Sequence, residues 1–117
     1  AYWRVAAELF AEHPLRGIGS GSFSVEWLQH REIAEAVRDA HSMYLETAAE
    51  LGIVGLAALA ALLAGVVLAA RRTRLPAALA ALAAFALHAG LDWDWEMPAL
   101  SLVAILLAAR VIAAQEP

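Results

Sequence analysis

Hydrophobic and polar positions divide the chain near residue 50. Residues 1–50 mix apolar and charged positions and hold eight acidic residues and four arginines, whereas residues 51–117 are almost wholly apolar, with four of each. The apolar positions of the second part fall in long blocks without the alternation of a strand, which is the pattern of membrane helices. Residues 51–70 carry no charge and, at about 1.5 Å per residue, reach about 30 Å, the thickness of the hydrocarbon core. Residues 75–91 are shorter and span only with help from flanking residues or local thinning. Residues 97–114 form a third block, with Arg110 placed to snorkel towards its end. The pattern predicts an all-α polytopic membrane protein. An extracytoplasmic helical region covers residues 1–45, and a three-span region covers 46–117, with spans at about 46–70, 75–91 and 97–114. Alanine-rich faces suit close packing of such helices.

Within the first part, residues 1–12 read as a helix with Trp3, Ala7 and Phe10 on one stripe, closed by His13-Pro14 because a residue before proline is pushed out of the α region. Gly17-Ile18-Gly19-Ser20-Gly21 reads as a flexible turn, residues 23–28 as a short aromatic stretch, and the chain from Glu32 onward as helical again. Loop charge sets the orientation. Arg71, Arg72 and Arg74 follow the first span and Arg110 ends the third, which puts both ends in the cytoplasm. Residues 1–45 and the turn Asp92-Trp93-Asp94-Trp95-Glu96 then share the outer face, with Trp93 and Trp95 in an interfacial belt. Charge bias alone thus brings His41 to the same side as Asp92 and Asp94.

Composition supports this picture. Of 117 residues, 62% are hydrophobic and only 17% charged, and the mean hydropathy is +0.65, which is too apolar for an ordinary soluble domain. With no cysteine there is neither a disulfide nor a thiolate metal site. A net charge of −4 without a clustered basic face argues against nucleic acid as a partner. The chain opens Ala-Tyr-Trp-Arg, inside an amphipathic stretch and without an initiator Met, and is expected to be the C-terminal part of a larger polytopic protein.

An ionisable cluster at the edge of a span is costly to place there, so Asp39-Ala40-His41-Ser42-Met43-Tyr44-Leu45-Glu46 is the leading candidate for function. Two readings of His41 stand side by side. On an unbroken helix from Ile33, His41 joins Val37, Tyr44, Leu45 and Ala48 on one packed stripe. If the helix starts at Asp39 as N-cap, His41 lies in the first turn, beside free N–H groups that attract a diphosphate and lower the pKa of an imidazole. A neutral imidazole there serves as a general base. Arg31 and Arg38 are natural anion partners, because a guanidinium fork matches phosphate oxygens; the alternative is a surface pair balanced by Glu32 and Glu35. Arg16 and the glycine turn are weaker candidates for phosphate. The turn lacks both a preceding strand and a following Lys-Ser/Thr. His88 and Asp92, four residues apart, read either as a polar pair locking the end of the second span or as support for the site. No set of His, Asp and Glu has convincing metal-ligand spacing, and neither Ser20 nor Ser42 lies in a nucleophile elbow.

The order Trp3-Arg4-Val5-Ala6, then His13-Pro14-Leu15-Arg16-Gly17-Ile18-Gly19-Ser20-Gly21-Ser22-Phe23, then Ala40-His41-Ser42-Met43-Tyr44-Leu45-Glu46, then Glu50-Leu51-Gly52-Ile53-Val54-Gly55-Leu56 resembles the C-terminal half of the O-antigen ligase family. The resemblance implies a multi-pass glycosyltransferase of the bacterial inner membrane. Such an enzyme moves a glycan from an undecaprenyl diphosphate carrier to a lipid core, wall polymer or protein at the outer face, with no metal or other cofactor. It also places the family's histidine on His41 and, less directly, diphosphate-binding arginines on Arg31 and Arg38. The family's further arginine, upstream of the Trp matched by Trp3, precedes this chain. A polymerase would differ in using a second lipid-linked repeat as acceptor. Readings of another class are a transporter, which expects polar residues such as His88 along a path between helices, and a non-catalytic membrane scaffold, which expects Arg31, Arg38 and His41 to be replaceable.

Overall fold

A computed structural model describes residues 1–114, and the end of the 46–117 region, residues 115–117, lies outside the described residues. The described chain is all-α. Helices α1 (Tyr2–Glu12) and α2 (Phe23–His30) precede a non-helical loop, the long helix α3 (Met43–Ala70), the shorter α4 (Pro76–His88), a 3₁₀ turn (Asp94–Glu96) and α5 (Pro98–Ala113). Helix α1 stops at His13, ahead of Pro14. Both α4 and α5 begin on a proline at the first helical position, where the missing N–H costs nothing.

A small core closes one end of the molecule. Val5, Ala6 and Leu9 of α1 pack with Phe23 and Trp27 of α2, Ala40 of the loop and Ala49 of α3, with Tyr2, Ile18, Val37 and Leu45 around them. Burying side chains of the size of Trp27, Phe23, Leu9 and Val5 stabilises by about 1.5–3 kcal/mol each. The packed stripe of α1 is therefore not Trp3, Ala7 and Phe10, since Trp3 is 46% exposed. Both stripes satisfy the helical period. The rings of Phe23 and Trp27 select the one with small Ala6 at its centre, and Trp3 turns outward to donate its indole N–H to the His41 carbonyl at 3.3 Å.

The segment from Arg31 to Ser42 is not the helix that its composition suggests. Its polar groups are claimed by tertiary partners. The Glu35 carbonyl accepts from Trp27 Nε1 at 2.8 Å and from Arg31 Nη1 at 3.0 Å, and the Glu35 carboxylate accepts from Tyr2 Oη at 2.8 Å. Such long-range bonds outweigh the few tenths of a kcal/mol per residue in helix propensity.

Helix α3 is broken at Gly52, whose φ of +62° and ψ of −156° are non-helical. The groups freed by the break are exchanged with the loop after α1. Ile53 N–H donates to Pro14 O at 2.8 Å and Val54 N–H to Leu15 O at 3.5 Å. In return, Ala49 O accepts from Ile18 N–H at 3.0 Å and Glu50 O from Gly19 N–H at 2.9 Å. The close approach requires glycine on both sides. A Cβ on Gly17 (φ +65°) would lie 2.2 Å from the Glu50 carbonyl carbon, and one on Gly52 would lie 2.6 Å from that of Leu15.

Beyond the break, residues 53–70 form an apolar rod with Ile53, Val54, Leu62, Val67 and Leu68 exposed along it. Helix α3 is long and apolar enough to cross a membrane. Helices α4 and α5 are apolar but have 13 and 16 residues, fewer than the roughly 20 of a typical span. Helix α4 stops at His88 because the chain turns there to pack against the start of α3. Met43 N–H donates to Ala89 O and Tyr44 Oη to Ala86 O, both at 2.7 Å, and Gly90 lies under the Tyr44 ring.

Gly17→Ala and Gly52→Ala are each expected to destabilise the protein by at least about 2 kcal/mol, through steric overlap and positive φ together. Thermal unfolding of the detergent-solubilised variants measures this, and Gly65→Ala, which meets open space, serves as the tolerated control.

Candidate active site

Ser42 caps α3, its side chain accepting from Leu45 N–H at 3.5 Å. His41 immediately precedes the cap with φ +54°, the one non-glycine residue with positive φ among the described residues. Such a conformation costs about 1–3 kcal/mol and persists only where neighbours over-determine it. Here they do. The His41 carbonyl accepts from Trp3, the N–H of neighbouring Ala40 is bound by Glu46 Oε2 at 2.7 Å, and the imidazole stacks on the Tyr2 ring with centroids 5.0 Å apart. Neither helical placement of His41 is realised, because α3 starts after it.

The strained backbone turns the imidazole to Asp92, with Nδ1 3.4 Å from Oδ1. The distance is long for a hydrogen bond, but resting sites are often looser than reacting ones. The Asp92 carboxyl is held below its ordinary range, first by the Trp93 N–H on it and then by His41. The tautomer that donates from Nδ1 to Asp92 leaves the lone pair on Nε2. The His41 side chain is 34% exposed, so a substrate can reach it. Asp92 does not pair with His88 as their spacing suggests. His88 Nδ1 meets Asp94 Oδ2 at 2.7 Å instead, because the tight turn carries Asp92 across to α3.

The arginines are dispersed. Arg31 caps α2 and is half-buried against Glu35. Arg38 is not a helical neighbour of His41; it lines a cavity of about 330 Å³ with Asp39, Glu46, Glu50, Trp95 and Glu96. Arg16 is exposed in the turn beside the α3 break. The lining of the cavity offers a guanidinium, carboxylates, an indole and the hydroxyls of Ser20, Ser24 and Thr47. That mixture suits a hydroxyl-rich ring with one apolar face.

Two residues of the candidate segment that sequence reasoning gave no role of their own, Glu50 and Glu46, organise this region. The Glu50 carboxylate accepts from Gly21 N–H at 2.7 Å and Phe23 N–H at 2.9 Å, so the chain's own carboxylate takes the backbone donors at the end of the glycine turn. Glu46 is only 6% exposed, and one oxygen each from Asp39, Glu46 and Glu96 lie within 4.8 Å of one another. Burial raises the pKa of the Glu96 carboxyl above its ordinary value. Two glutamates four residues apart leading into an uncharged span were the signal available in the sequence.

Part of this geometry, the loop with His41 and the start of α3, lies within a segment of known kinship. The O-antigen ligase family profile matches residues 1–60, from α1 through the α3 break, and the chain belongs to that family. Family membership indicates ligase- or polymerase-type enzyme activity in a membrane protein, with lipid-linked glycans as the substrate class. No curated protein and no solved structure matches the chain.

Proposed function

We propose that this chain carries the catalytic loop and closing helices of an enzyme that transfers a glycan from undecaprenyl diphosphate to an acceptor hydroxyl. The observation that supports it best is His41, within the family-matched segment and at the head of the helix suited to cross the membrane, held beside Asp92 from the turn after α4. In this reading Nε2 of His41 takes the acceptor proton as the acceptor oxygen attacks the anomeric carbon. The bond from that carbon to the diphosphate breaks, and undecaprenyl diphosphate leaves with the electron pair. Asp92 orients the ring and balances the imidazolium that forms. Arg31 and Arg38 supply positive charge to the departing diphosphate, and the cavity beside Arg38 and Trp95 receives a sugar ring. The reaction so written uses no metal.

The same reading places α3, α4 and α5 as three spans of a multi-pass inner-membrane protein. Arg71, Arg72, Arg74 and Arg110 face the cytoplasm, and residues 1–45 face outward. Helices α4 and α5 then cross with the help of their flanking turns or a thinned bilayer. A lipid core, wall polymer or protein as acceptor makes the enzyme a ligase, and a second lipid-linked repeat makes it a polymerase. The ionisable groups of α3, α4 and α5 gather towards their ends, which supports an enzyme over a transporter with a charged path at mid-depth.

In the full-length parent protein, expressed in a host lacking its own copy, His41→Ala is expected to lower transfer at least about 100-fold. Carrier-bound glycan should accumulate while the variant remains in the membrane at its normal level. Unchanged transfer would return His41 to a packing role and reject this chemistry.

A further inference from the structure

Glu46 lies one turn inside α3, buried more deeply than a carboxylate without a task would be. Its Oε2 accepts the N–H of Ala40, the residue before His41. Its carboxyl group also meets Asp39 of the loop and Glu96 of the 3₁₀ turn, the turn that follows Asp92. One side chain therefore faces both segments that carry the pair. The pair needs such a link, since His41 is held in a backbone conformation that a histidine leaves unless its surroundings fix it.

We propose that Glu46 is the positioning residue of this site: its carboxyl group holds the loop that presents His41 and the turn that presents Asp92 in register. The inference rests on transfer chemistry at His41. The charged groups around Glu46 are Arg38 and Asp39 from the loop, Glu50 from α3 and Glu96 from the turn, three acids against one base. Through Oε2 it holds the loop at Ala40, and one of its oxygens lies within 4.8 Å of an oxygen of Asp39 and of Glu96, so the side chain stands between the loop and the turn.

The test uses the full-length parent in native membranes, with its undecaprenyl diphosphate-linked donor and its own acceptor, and separates kcat from KM. Glu46→Ala is expected to lower kcat about 30-fold and to change the donor KM less than about threefold, the signature of a lost reacting geometry rather than lost binding. Glu46→Gln keeps an acceptor for Ala40 and a donor for the carboxylates, and should hold kcat within about threefold of wild type. Wild-type kcat in Glu46→Ala, or a Gln variant as impaired as the Ala variant, would overturn the proposal. Should Glu46→Ala fail to accumulate, Glu46→Asp, whose carboxyl group falls one methylene short, takes its place: a comparable loss of kcat is expected, and wild-type kcat would overturn the proposal. His41→Ala run alongside separates the two claims. Inactive His41→Ala beside fully active Glu46→Ala rejects the positioning role and leaves the transfer reading standing, whereas active His41→Ala rejects both.

Discussion

The break in α3 at Gly52 is the constraint on which the rest of the structure depends. A helix entering a membrane normally satisfies its backbone within itself, and an open turn at that depth must find partners in other protein. Here the partner is the loop after α1, which gives two N–H groups and takes two in a reciprocal exchange around Ala49, Glu50, Ile53 and Val54. Four hydrogen bonds and two glycines thus weld α1 and the loop after it to the apolar rod of α3. The weld then places α1, and with it Tyr2 and Trp3, over the start of α3, where both touch His41.

A second consequence concerns acidic residues. An uncompensated buried carboxylate is expensive, and two of the described carboxylates are buried. The cost for Glu50 is met by two backbone N–H groups, that of Gly21 in the glycine turn and that of Phe23 at the start of α2. Glu46 receives one backbone N–H, that of Ala40. The difference is one of role: Glu50 closes a structural joint, and Glu46 faces the cavity and the two segments that carry His41 and Asp92.

The sequence revealed the helical class, the end of α1 at His13-Pro14, the turn character of Gly17 to Gly21 and the apolar helices, because each follows from local chemistry. It revealed the O-antigen ligase kinship through short motifs kept in order. It misled wherever two local readings were equally good and a distant partner chose between them. The wrong stripe of α1 satisfied the same period as the right one. The segment after Glu32 reads as helix until Tyr2, Trp27 and Glu46 claim its polar groups. His88 spaced four before Asp92 resembles a pair, yet the turn between them crosses to α3 and hands Asp92 to His41.

His41 shows why the site could be named from sequence but not drawn from it. Both readings of its neighbourhood assumed a helical residue, since composition favours helix on each side. In the structure it is held at positive φ between a loop and a cap by Trp3, Tyr2 and Glu46, three side chains from two helices. Nothing in the residues adjacent to His41 encodes that conformation. It exists because the Gly52 joint fixes α1 relative to α3, and α4 returns Asp92 to the same point. Strain maintained by tertiary contacts at an exposed imidazole is a common mark of a working site. It is also the feature that local sequence patterns report least.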